Sequence, residues 1–168
     1  KSCQITYGDR LMNLGVLRMS QDDLYRANEE FNRSLEQHRS ADNSFGMARV
    51  TGNIAETEIK YYKQLKSQGD EKQAEVYLRS AEQRCNDSYT NLTGGKDEIA
   101  CQYAAIRLGY IQELRGNYYE AIDIFNHAVE SYEQIDSFVL HFCFDHLVTC
   151  YHAVGDTVAA SKFMPLCG

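Results

Sequence analysis

The sequence predicts an all-α fold in which helix–turn–helix hairpins repeat along the chain. Three observations carry that expectation. The 168 residues contain a single proline, Pro165, so no proline interrupts a helix upstream of it. A pattern of small, large and small residues recurs at a fixed spacing. Pairs of turn-forming residues separate the periodic stretches.

The recurring pattern is clearest in the second helix of each hairpin. Ala27-x3-Phe31-x2-Ser34 returns as Ala74-x3-Leu78-x2-Ala81 and again as Ala121-x3-Phe125-x2-Ala128, at steps of 47 and 47 residues. The first helix repeats in register. Leu11-x2-Leu14-Gly15 returns 94 residues on as Ala105-x2-Leu108-Gly109, with a degraded copy, Glu58-x2-Tyr61-Tyr62, midway. A fourth copy follows at a step of 39: Phe144-x2-Leu147-Val148-x2-Tyr151, then Ala160-x3-Met164. The turn inside each hairpin is marked by Gln21-Asp22, Gly69-Asp70, Gly116-Asn117 and Gly155-Asp156, residues that stop one helix and start the next. Eight helices follow, over residues 7–20, 23–39, 45–68, 71–88, 98–115, 117–134, 138–153 and 156–166, with loops near Ser40–Ser44 and Thr90–Asp97. Small residues let paired helices approach, and Phe31, Leu78 and Phe125 fill the gap toward the next hairpin. One hairpin cannot bury its own apolar face, so hairpins stack.

These registered motifs resemble the tetratricopeptide repeat (TPR) family over nearly the whole chain. The resemblance implies one domain over residues 1–168, a right-handed superhelix of about four repeats (7–40, 45–90, 97–135 and 138–168), and a concave face lined by the first helices. The chain departs from the family in three ways. It has no Trp, and Arg39, Asn86 and Glu133 stand near where a proline often ends the second helix. Its period also exceeds the usual ~34 residues. The long period is similar to other helical scaffolds as well: the membrane-fusion adaptors called SNAPs, over Tyr118 through Cys150, and the TPR-like arms of proteasome-lid and signalosome subunits.

Composition narrows the function classes. The chain carries 17 Lys and Arg against 24 Asp and Glu, a formal charge of −7, with no dense basic run to neutralise phosphates, so no nucleic-acid partner is expected. The longest nearly apolar run, Phe138 to Phe144, is broken by His141 and is far short of the ~20 residues a membrane span needs. The six cysteines form no CxxC pair and read as reduced, mostly buried thiols of an intracellular, cytoplasmic protein. Asn-x-Ser/Thr triplets occur at Asn32, Asn86 and Asn91; Asn32 falls inside an expected helix, and glycosylation is not expected from triplets of this kind. A start at Lys1 rather than Met reads as a fragment or a processed product of a longer protein.

The TPR resemblance implies the binding surface. Positions 2, 5, 9 and 12 of each first helix would line the groove. They are Asp9, Met12, Val16 and Met19; Glu56, Ile59, Lys63 and Lys66; Tyr103, Ile106, Tyr110 and Glu113; and Phe142, Asp145, Thr149 and His152. Two readings stand for the apolar members, ordinary packing between helices or anchors for an amphipathic helix or peptide. Arg49-x2-Gly52-Asn53 matches a carboxylate-clamp signature of some TPRs, but the other repeats do not supply its partners. The cluster His141, Cys143, Asp145, His146, Cys150 and His152 is rich in metal-ligand types, yet its i,i+4 pairs diverge on a helix, and packing is the reading preferred over a metal-binding regulatory domain. No phosphate loop, serine elbow or HExxH motif occurs. The expected function is a protein–protein interaction scaffold, not an enzyme, with no cofactor. The alternative is a structural adaptor inside a larger assembly.

Overall fold

The helices begin and end by one repeated device. After α1 (Ser2–Ser20), α2 (Leu24–Ser40), α3 (Ser44–Ser67), α5 (Glu98–Leu114) and α7 (Ser137–Ala153), a residue with positive φ reverses the chain: Asp22, Asp42, Gly69, Gly116 and Gly155. The next residue's N–H then reaches back to a carbonyl of the last turn, as in Asp23 to Arg18 (3.0 Å), Asp70 to Leu65 (2.9 Å) and Asp156 to Tyr151 (2.9 Å). That residue also caps the following helix: the side chains of Asp23, Asn43, Asp70 and Asp156 accept from Arg26, Gly46, Gln73 and Ala159. Each such cap is worth about 1 kcal/mol. Asn117 differs, because its amide donates to Gln112 Oε1 instead. The first turn thus falls on Asp22-Asp23, one residue later than the expected Gln21-Asp22, which brings it into phase with Gly69-Asp70.

This computed structural model describes residues 1–167, and among them the chain is all-helical. The remaining elements are α4 (Glu71–Leu92), α6 (Tyr118–Glu130), α8 (Thr157–Phe163) and a 3₁₀ turn, Met164–Leu166. All eight expected helices are present, with shifted ends. α1 starts at Ser2 rather than near residue 7. α4 runs on to Leu92, which is buried. α6 stops at Glu130 rather than 134 because buried Gln102 holds the following chain out of helix. Its amide donates to the Gln134 carbonyl and its oxygen accepts from Asp136 N–H, both at 2.8 Å. α8 gives way to the 3₁₀ turn around Pro165, leaving Met164 56% exposed, so it does not fill the place that Phe125 fills in the third copy.

The chain forms two compact units, residues 1–93 and residues from Gly94 on. In the first, α1 pairs with α2 and α3 with α4; α3 also packs on α2 and α1. In the second, α5 pairs with α6 and α7 with α8, and α7 packs on α6 and α5. The small positions of the repeat do what their size suggests. Ala27, Ala74 and Ala121 have at most 1% of their surface exposed. A Cβ built on Gly15 would lie 2.5 Å from the Phe31 ring, and one built on Gly109 would lie 2.5 Å from the Phe125 ring. Each ring is therefore wedged directly on the backbone of its partner helix. The second hairpin has Tyr62 in place of the glycine and Leu78 in place of the phenylalanine, both buried.

Candidate docking surface

The expected groove residues divide sharply in their placement. Met12 and Met19 belong to the core of the first unit, with Leu24, Ala27, Phe31, Val50 and Ile54. Ile59 and Ile106 are also buried. For these four the packing reading holds: an apolar face at helical spacing is spent on the neighbouring helix. Val16, one turn from Met12 and Met19, is 42% exposed beside exposed Leu17. Lys63 and Lys66 are exposed. Lys66 Nζ donates to Glu71 Oε2, which raises its pKa, and it sits at the α3–α4 turn.

In the second unit the expected aromatic residues come together. Tyr103 and Tyr110 of α5 and Phe142 of α7 are half-buried. They form a ladder of rings with Phe138 and His146. Tyr103 lies 5.8 Å from Phe138, Tyr110 lies 5.8 Å from Phe142, and Phe142 lies 4.1 Å from His146, measured between ring centres. Such contacts add roughly 0.5–1.5 kcal/mol each beyond area burial. The Tyr103 hydroxyl donates to Asp136 Oδ1 (3.3 Å), and the same oxygen accepts from the first N–H groups of α7, so the ladder is fixed to a helix cap. Asp145, Thr149 and His152 lie exposed on α7. Phe138, which the repeat frame did not select, is 57% exposed at the open end of the ladder. Its signal was present: it stands four residues before Phe142 and so shares its face.

The ligand-rich stretch of α7 is used differently from the i,i+4 pairs expected of it. His146 Nδ1 turns to Glu113 Oε2 (2.5 Å), and the Cys150 thiol donates to the same oxygen (3.8 Å). His141 Nδ1 donates to the Ser137 carbonyl (2.7 Å). Burial, followed by the Glu113 charge, pushes the Cys150 thiol up to about 12. Burial alone takes Cys143 to about 12. Burial of this kind disfavours the thiolate form at both positions. Among the described residues no group of three His, Cys, Asp or Glu side chains is disposed to hold a metal ion. All six cysteines are free, and four of them are buried. No described helix is long and apolar enough to cross a membrane.

No family model matches this sequence, and no curated protein matches it. Among solved structures, the fold is similar to BtubC (BKLC) from P. vanneervenii, with a TM-score of 0.72 and 17% identity over 95% of this chain. This chain spans 61% of the length of BtubC. At that identity the likeness is one of fold alone.

Proposed function

We propose that the chain is a TPR-like helical-repeat scaffold of an intracellular protein, and that it docks a segment of another protein without doing chemistry. The observation that carries this reading is the α5–α7 aromatic ladder. Large rings are expensive to leave in water, yet Phe138 stands open and Tyr103, Tyr110 and Phe142 are only half covered. Rings of this kind supply buried area at low conformational cost and are favoured anchors for a partner helix or peptide. Charge favours a basic partner: residues 94–168 carry 4 basic and 10 acidic side chains, and Asp136 accepts from the Tyr103 hydroxyl of the ladder.

A photo-crosslinking residue placed at Phe138 tests this. It should capture a protein partner that the same residue at Tyr119, 72% exposed on α6, does not. Equal capture at both sites, or none at Phe138, sinks the reading. The second reading, a structural adaptor built into a larger assembly, is favoured by exposed Val158, Met164 and Leu166 at and after α8. Capture from Val158 in place of Phe138 would select it.

A further inference from the structure

His38 lies at the joint where α2 hands over to α3. Its side chain is fully enclosed. It is seated between two glycines. A Cβ on Gly8 of α1 would fall 2.8 Å from His38 Nε2, and one on Gly46 of α3 would collide with the Nδ1 side of the ring. The imidazole thus fills space that only backbone leaves free, on two helices at once. Asn43 holds it. Asn43 Oδ1 accepts from Gly46 N–H (3.1 Å), which caps α3, and this turns Asn43 Nδ2 toward His38 Nδ1 (3.0 Å). Nδ1 is therefore the acceptor, and the ring proton sits on Nε2. That Nε2 is buried without a hydrogen-bond partner; Asp9 Oδ1 stands 3.7 Å away, beyond bonding distance.

We propose that His38 and Asn43 form a proton-operated latch on the α2–α3 joint, in which protonation of the imidazole at Nδ1 uncaps α3. The second proton must go to Nδ1, where the Asn43 amide is already donating. An imidazolium has no lone pair left to accept that bond. Asn43 Nδ2–H then faces the new Nδ1–H, so the amide rotates to offer Oδ1, and rotation takes Oδ1 from Gly46 N–H. One amide cannot serve both a cap and an imidazolium. The charges around the ring are divided. Asp9 of α1 favours the charged form, while Arg49 of α3 opposes it and lies 3.8 Å from that same carboxylate. On α2 and the following turn, Arg39 pairs with Glu36, and Asp42 pairs with Lys1. Burial outweighs these charges and holds His38 below its ordinary value of 6.5. With the folded value depressed, the folded state binds fewer protons than the unfolded chain. The His38 contribution is complete above the ordinary imidazole value and is lost as pH falls through it toward the folded value.

Amide hydrogen exchange on the full chain tests the latch, with rates corrected for intrinsic pH dependence. From about pH 7.5 to about pH 5.5, protection at Gly46 should fall by about five- to tenfold, because the opened joint, with His38 at its ordinary value, takes up over this range a proton that the closed joint resists. Gln73, capped by Asp70 on α4, should change by less than about twofold, since an ordinary carboxylate cap stays ionised over this range. Asn43→Asp keeps a capping oxygen and offers an acceptor to the imidazolium, so the fall at Gly46 should vanish in that variant. Nitrogen shifts of the imidazole at about pH 7.5 should place the proton on Nε2. A parallel fall at Gly46 and Gln73, an Asn43→Asp variant that behaves as the parent, or a proton on Nδ1 would each overturn the proposal.

Discussion

The two units contain the same wedge in different surroundings. Gly15 under Phe31 and Gly109 under Phe125 are built alike, 94 residues apart. In the first unit the cluster around Phe31 is aliphatic, with Met12, Met19, Val50 and Ile54. In the second, Phe125 meets Phe142 (6.2 Å) and His146 (5.7 Å), and the histidine is tied to a carboxylate. Charge separates the units as well: residues 1–93 carry 13 basic and 14 acidic side chains, against 4 and 10 in residues 94–168. The glycine–ring wedge joins the two helices of a hairpin and tolerates little change. The next helix that covers the ring is free to vary, and that freedom is where a binding face can arise.

The largest effect expected is at the wedge rings. Phe31→Ala and Phe125→Ala should each cost about 3–5 kcal/mol in denaturant unfolding, because both rings are wholly buried. Unbranched methionines can relax into a hole more easily than rings can, so Phe125→Ala should lie at the upper end and Phe31→Ala at the lower. The reverse order would break the comparison. Gly109→Ala should cost about 1–3 kcal/mol by overpacking. Adding Phe125→Leu to Gly109→Ala should recover part of that loss, because it moves the pair toward the Tyr62 and Leu78 combination of the second hairpin. A strictly additive double-variant cycle would show that the two positions do not share one contact.

Smaller effects sharpen the contrast further. Tyr110→Ala should cost about 1–3 kcal/mol, since it removes two ring contacts, with Phe142 and His146, each worth roughly 0.5–1.5 kcal/mol. Phe138→Ala should cost less while reducing capture of a partner. The smallest effect is at the turns. Asp22 holds φ at 58° where the matching residue is Gly69, at 80°. Asp22→Gly should therefore stabilise the chain by roughly 0.5 kcal/mol, since aspartate pays a steric cost in the left-handed region that glycine does not. Its exposed 3.4 Å pair with Lys60 offsets little of that gain. Thermal melting would resolve the sign.

Much of the architecture could be read before any packing was known. Helix identity followed from the recurring small–large–small motif and the lack of proline before Pro165, and hairpin turns from Gly-Asp and Gly-Asn pairs. The buried Ala27, Ala74 and Ala121 followed from their equal spacing. The candidate face was less legible, because neighbouring positions on one helix differ only in what lies opposite. Met12 is in the core and Val16 is open, though both fit the same apolar stripe. Phe138 stood in an apolar run, Phe138 to Phe144, that sequence alone does not divide into covered and open positions, and it is 57% exposed beside Tyr103. Gln102 gave no signal at all. It ends α6 from a distance of 32 residues along the chain, by binding a carbonyl that a helix would have used.

The sequence by itself determined the local choices: which stretches are helical, that Gly69, Gly116 and Gly155 mark turns between paired helices, and which positions must be small. These depend on backbone conformation and on neighbours within a turn or two, so residue type is enough to decide them. Tertiary structure alone decided which equivalent positions became core, cap or surface. Buried His38 is the clearest case. Its position in α2 reads as an ordinary polar residue near a helix end, and 47 residues on the matching place is Cys85. Only the approach of Gly8 and Gly46 from two other helices encloses the ring and leaves Asn43 as its one hydrogen-bond partner. Burial, charge balance and proton affinity are sums over groups distant in sequence, and no window of the chain contains all their terms.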